Sequence, residues 1–145
     1  MTVTREINTT AKKFFDLLII SVKHDIKQAT GNDVETENLK AGYTYEKNLT
    51  NKIGGESKVK ATLINVEQPL FYEAEFLSRR GKNTVQYKIE EINQNRIQVT
   101  YSESYDPADK ISGTNYKIVS FFYKRSSKKR MNMLLKQMAM YLEAN

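Results

Sequence analysis

The sequence has no cysteine and no tryptophan, a single histidine and only two prolines in 145 residues. Absence of cysteine excludes disulfides, thiolate metal sites and cysteine nucleophiles, and it suits a reducing compartment. The lone His24 excludes multi-histidine metal sites and metalloprotease motifs, and it falls on the polar side of its helix, where a surface histidine is expected. Long apolar runs are missing as well. The longest aliphatic run, Leu17 to Ile20, is far shorter than the roughly 20 residues that span a bilayer. Nor does the start, Met1 to Asn8, place a basic region before an apolar one, so the expected location is the cytoplasm. The carboxylates show no metal-ligand spacing, pairs such as Glu73/Glu75 and Glu90/Glu91 read as solvated, and no metal or cofactor is expected.

What remains is a chain that suits one domain over residues 1–145, a size that buries roughly 68–70% of the surface exposed by the unfolded chain. Its net charge of +6 is unevenly placed. Residues 1–109 hold 15 Lys/Arg against 16 Asp/Glu, while residues 110–145 hold 8 against one, Glu143. Such a basic segment can attract nucleic acid, anionic lipid or an acidic partner, although a solvated helix face is the commoner explanation.

Val3, Arg5 and Ile7 alternate with polar neighbours and predict a short edge strand. A helix follows at once. Asn8, Thr9 and Thr10 offer cap oxygens; Ala11, Phe15, Leu18, Val22, Ile26 and Ala29 form one helical stripe, and Gly31-Asn32 ends it. The polar stretch from Asp33 to Lys40 reads as a loop. The period then changes to two. Tyr43 and Tyr45; Val59, Ala61 and Leu63; Tyr72, Ala74 and Phe76; Val85, Tyr87 and Ile89; and Ile97, Val99, Tyr101, Glu103 and Tyr105 predict five successive strands, separated by turn residues short enough for antiparallel hairpins. Segment 115–123 is ambiguous, with strand-like composition but a helical position. Tyr116, Val119, Tyr123, Leu134, Met138 and Tyr141 fall close to one line of a helical wheel with Met131 and Leu142 beside it, so helix is expected from Ser127 to about Leu142 and, by extension, from about Ser112.

A meander with one apolar face must cover it, and the helix after strand one and the C-terminal helix are the long amphipathic elements available. The expected inward face carries many rings: Tyr43, Tyr45, Tyr72, Phe76, Tyr87, Tyr101 and Tyr105. Each buried phenol needs a hydrogen-bond partner, so these residues with Glu103, Tyr123, Leu134 and Met138 are the candidate lining of a cavity for an apolar or amphipathic small molecule. The alternative is that the hydroxyls reach the rim of the sheet. Glu103 is also a weak candidate general acid or base, with Tyr101 or Tyr105 polarising a carbonyl.

The strand Val3–Ile7 running directly into Thr9-Thr10-Ala-Lys-Lys-Phe-Phe-Asp-Leu-Leu, the corner Val66-Glu-Gln-Pro-Leu-Phe-Tyr72, the strand Arg96-Ile-Gln-Val-Thr-Tyr-Ser-Glu103 and the closing helix Lys124-Arg-Ser-Ser-Lys-Lys-Arg-Met-Asn-Met-Leu-Leu together resemble the START, polyketide cyclase and pollen-allergen superfamily (SRPBCC). The likeness covers nearly the whole chain and is narrower still to a small group of uncharacterised proteins from low-GC Gram-positive bacteria. It implies an α+β helix-grip fold, a curved antiparallel sheet of six or seven strands around a long C-terminal helix, with an additional N-terminal helix after strand one. It also implies a hydrophobic cavity and no fixed catalytic motif. In ligand-binding relatives a glycine-rich loop follows the second strand; the corresponding Asn51-Lys-Ile-Gly-Gly-Glu56 is shorter, and a tight turn is expected there rather than a phosphate cradle.

Three functions stay open at this level. The first is binding of a hydrophobic or amphipathic ligand. The second is interaction through the basic C-terminal helix, where Lys124, Arg125, Lys128, Lys129 and Arg130 neighbour Phe121, Phe122, Met133 and Met140, with an anionic membrane, nucleic acid or protein partner; no stacking motif points to specific nucleic-acid recognition. The third is cyclase- or isomerase-like catalysis at Glu103. An adaptor role on chaperones, known among superfamily members, ranks below ligand binding.

Overall fold

A computed structural model describes the backbone of residues 1–50, 56–108 and 114–145, and the side chains of 1–48, 58–108 and 127–145. Residues 51–55, where the sequence leads to the expectation of a tight turn, and the side chains of Tyr116, Val119, Phe121, Phe122, Tyr123, Lys124 and Arg125 lie outside the described residues. In chain order the elements are β1 (Thr2–Ile7), α1 (Ala11–Thr30), a short 3-10 turn (Thr36–Asn38), β2 (Thr44–Thr50), β3 (Glu56–Glu67), β4 (Phe71–Ser78), β5 (Gly81–Asn93), β6 (Arg96–Pro107) and α2 (Thr114–Ala144).

α1 begins where the sequence offers a cap. The Thr10 hydroxyl accepts the Lys13 N–H at 3.1 Å, and Gly31, with φ 79°, closes the far end by donating its N–H to Lys27 O at 2.9 Å. Phe14 and Ile19 are buried beside the predicted stripe, so α1 is covered over a wider arc than one line of residues. A helix lying inside a curved sheet has neighbours on more than one side. The Asp33–Lys40 loop also differs from expectation, because its 3-10 turn drops Leu39 into the core at 3% exposure.

The six strands form one antiparallel sheet in the order β1-β6-β5-β4-β3-β2. Register shifts between Leu63 and Asn65 on β3, and between Glu91 and Asn93 on β5, bend the strands as β-bulges do. The sheet therefore curves around α2, giving the helix-grip α+β architecture. Alternation holds along the meander: Ala61, Leu63, Tyr72, Ala74, Tyr87, Ile89, Ile97, Val99 and Tyr101 are all buried on the concave side.

Segment 115–123 is helical, which resolves its ambiguity. A helix satisfies its backbone hydrogen bonds internally, whereas a seventh strand would need a free sheet edge. The buried line of α2 is Ser127, Met131, Leu135, Ala139 and Leu142, spaced four, four, four and three residues apart. This corrects the predicted stripe. Leu134 and Met138 are half-buried flanks, and Tyr141 is 58% exposed. The small Ser127 and Ala139 in this line let the helix seat closely on the sheet, while the larger tyrosine, with its polar tip, stays in solvent. The opposite face presents exposed Met133 and Met140 between exposed Lys129 and Lys136.

α2 is fastened at its middle and at its C-terminal end. Arg130 bonds Glu103, whose own N–H donates to Met1 O, and the Glu143 carboxylate accepts the Asn8 N–H at 2.9 Å. From residue 130 to 143 a helix rises about 20 Å, close to the roughly 23 Å that strand residues 1 to 8 cover. The helix thus runs alongside β1 in the same direction.

Candidate functional site

The concave face changes character along the strands. Near the start of α1 it is dry, with Ile7, Ile97, Val99 and Ile89 at 3% exposure or less. The next row joins three strands through Tyr72, Tyr87 and Tyr101, aligned with Val3. Tyr87 and Tyr101 stack with centroids 4.5 Å apart, Tyr72 tilts against Tyr87 at 6.2 Å, and Phe14 of α1 meets Tyr87 at 6.0 Å. Beyond this row the cover is uneven, with Ala61, Leu63 and Ala74 at 1% exposure. Tyr43, Phe76 and Val85 are half-buried although they point to the same side as the core, as is Leu134 one turn after Arg130.

Two polar clusters stand on either side of that stretch. On β6 the Tyr101 hydroxyl donates to Glu103 Oε2, and Arg130 Nη2 reaches both carboxylate oxygens at 2.7 and 3.0 Å. Glu103 is well covered and Arg130 mostly exposed. Across the sheet, on β2, the Tyr45 hydroxyl donates to Asp25 of α1, and Lys47 Nζ lies 3.1 and 3.3 Å from the two Asp25 oxygens. The same ammonium sits 4.9 Å from the centre of the Phe76 ring, a cation–π contact. Each cluster is one carboxylate receiving one phenol and one cation.

Burial dominates the titration of these rings. It pushes Tyr87 up to about 12, and it raises Tyr72, Tyr45 and Tyr101 further, the last two helped by the carboxylates that accept their protons. The hydrogen bond that Arg130 donates to Glu103 raises the guanidinium above its ordinary value. At neutral pH the four phenols are hydroxyls, and the cation of the β6 cluster is fixed.

Of the residues named from sequence, Tyr45, Tyr72, Tyr87 and Tyr101 are buried on the concave side, and Tyr43, Phe76, Glu103, Leu134 and Met138 are half-buried. Tyr105 departs from expectation. It is 42% exposed and donates to Arg80 O, which places it at the rim beside the β4–β5 turn. Sequence reasoning missed Asp25, Lys47 and Arg130. Lys47 follows Tyr43 and Tyr45 at strand period, so the signal was present; Asp25 and Arg130 border the buried stripes of their helices and read as ordinary surface charges.

Two depressions lie elsewhere on the molecule. A groove of about 520 Å³ is lined by Thr10, Ala11, Lys12, Pro69, Glu91, Asn93 and Gln94, and a smaller one of about 260 Å³ lies on the convex face around Thr2, Gln86 and Ser102. Neither contains a tyrosine. Among the described residues no group of three His, Cys, Asp or Glu is placed to hold a metal ion, and no helix is long and apolar enough to cross a membrane.

Comparison with solved structures returns the same architecture. Ara h 8.0201 matches with a TM-score of 0.62 at 12% identity, over 100% of this chain and 99% of its own. A START superfamily protein from Mycobacterium smegmatis matches with 0.61 at 10% identity over 99% and 97%, and a protein of unknown function from Staphylococcus aureus with 0.66 at 13% over 99% and 94%. At such identities the likeness establishes the SRPBCC fold. No curated protein shows a significant sequence match. The family model described as Domain of unknown function (DUF3284) matches residues 1–124, and this chain belongs to that family.

Proposed function

We propose that the protein binds a hydrophobic or amphipathic small molecule between the sheet and α2. The observation that carries this reading is the half-buried state of Tyr43, Phe76 and Val85 on a concave face whose neighbours are fully buried. Apolar groups on the inside of a sheet are ordinarily packed to crystal-like density. Leaving several of them accessible loses burial energy at each position, and a guest that covers them recovers it. The fold, shared with a START superfamily protein, supports the reading.

The polar groups favour binding over catalysis. Glu103 already accepts hydrogen bonds from Tyr101 and Arg130 and is paired with the guanidinium, so most of its acceptor capacity is engaged within the protein. A general base needs a lone pair directed at substrate. The test uses the neutral dye N-phenylnaphthylamine, whose fluorescence rises in apolar surroundings. Saturable binding in the micromolar range, reversed by dodecanol, is the expected result; a flat titration with both would remove the proposal.

A further inference from the structure

We infer that the outer face of α2 docks on an anionic membrane surface, a role separate from the ligand site proposed above. Four exposed residues, Lys129, Met133, Lys136 and Met140, follow one another at spacings of four, three and four, and so form one line about 16 Å long up the helix. The line lies on the far side of the helix from Met131, Leu135 and Leu142, which seat it on the sheet. Met133 is 50% exposed and Met140 62%. Charge sets these two apart from other apolar side chains at the surface. Lys129 and Lys136 have no carboxylate partner among the described residues. Glu143 is the sole acid in α2, and its carboxylate is turned to the Asn8 N–H. Leu77 makes the contrast. It is exposed on the convex face between Lys60 and Lys82, but Glu46 and Asp106 stand next in the same row and cancel those charges. On α2 the exposed apolar groups sit in an uncompensated positive field.

That combination selects the partner. Anionic lipid presents phosphates above an apolar layer, so the thioethers can sink to the acyl boundary while the ammonium groups reach the phosphates along their own methylene stems. Methionine is unbranched and flexible, which suits a fluid surface. Nucleic acid would answer the lysines alone, because its backbone is hydrated phosphate and its bases are taken up by stacking rings, which this line lacks. A second copy of the chain through the same face would set lysines against lysines. A protein partner is anchored by Trp, Tyr and Arg; here Arg130 is held by Glu103, and Tyr141 lies about 100° around the helix from Met140.

The sequence has no tryptophan, so Met140→Trp supplies a single reporter on the line and Leu77→Trp one on the convex face. Each variant is mixed with vesicles of phosphatidylcholine alone and of phosphatidylcholine with about one-third phosphatidylglycerol. With the anionic vesicles the Met140→Trp emission should move to shorter wavelength and be quenched by brominated acyl chains, while Leu77→Trp emission stays in place; with phosphatidylcholine alone neither should change. In chains without a reporter, affinity for the anionic vesicles, read by flotation, should fall about fivefold for each of Lys129→Gln and Lys136→Gln. The pair Met133→Gln and Met140→Gln should lower it about tenfold at unchanged charge. All of these positions are exposed, and a native urea midpoint shows that each variant folds. Absence of binding to the anionic vesicles, equal shifts at both reporters, or a methionine pair variant that binds as well as the native chain overturns the inference. So does binding to polyuridylic acid that is tighter than to the vesicles and indifferent to the methionine pair, which would assign the line to nucleic acid.

Discussion

A phenol buried among apolar neighbours stays protonated well past the pH at which an exposed one ionises, and Tyr45, Tyr72, Tyr87 and Tyr101 are of this kind. The sign of the consequence follows from proton counting. Above the ordinary phenol value of 10.0 the unfolded chain gives up these protons while the folded one keeps them, so the native state binds more protons and stability falls as pH rises. The contribution is complete below pH 10 and is lost through the window up to about 12 for Tyr87, and beyond it for the other three. Each ring contributes a slope of about 1.4 kcal/mol per pH unit, and four together about 5. Urea unfolding at a series of alkaline pH values should therefore show a steep decline beginning near pH 10, with part of the tyrosinate absorbance appearing together with loss of helix. Tyr72→Phe should make the decline shallower by about one ring's slope; an unchanged slope would mean that Tyr72 ionises in the folded protein.

Among the elements, α2 gives the sharpest check on how side chains face. Its buried line contains Met131, Leu135 and Ala139, whereas the line of large residues through Leu134, Met138 and Tyr141 is turned aside. Leu135→Ala should destabilise the protein by about 2–5 kcal/mol, as truncation of a fully buried leucine does. Tyr141→Ala should stay within about 0.5 kcal/mol. Thermal or urea denaturation of the two variants separates the orientations, and the reverse order would return the helix to its aromatic line. The contrast also marks what was legible in the sequence. Strand positions were readable because a period of two assigns each side chain to one face, and Tyr45, Tyr72, Tyr87 and Tyr101 lie where alternation puts them. On α2 the hydrophobic residues cover more than one face, so periodicity alone left the rotation open by most of a quarter turn. The helix is set by close seating against the sheet, and the small Ala139 carried that information without looking like a core residue. Asp25 and Arg130 were illegible for a different reason: their roles come from partners on distant strands, which no local spacing encodes.

At the scale of the whole molecule, the question is what occupies the region between a helix fixed at two points and a sheet that curves around it. The Arg130–Glu103 pair and the Glu143–Asn8 bond hold α2 along β1 and β6, the side of the sheet where it starts and ends its seating. α1 approaches from the other side, where Asp25 meets Tyr45 and Lys47 of the opposite edge strand. The two helices thus anchor to opposite ends of the strand order, and the central strands between those ends carry Val85 and Phe76 half-buried. A larger side chain at Val85 distinguishes accessible space from a packed interior. If the region takes a guest, Val85→Phe places a ring where the guest would lie, costs less than about 1 kcal/mol because no neighbour must move, and abolishes uptake of N-phenylnaphthylamine. In a filled interior the same ring overpacks the core and costs about 1–3 kcal/mol. Denaturant unfolding and dye titration of this one variant read the two outcomes independently: near-native stability with lost binding supports a ligand site above the central strands, and a destabilised protein that still takes up the dye places any binding elsewhere.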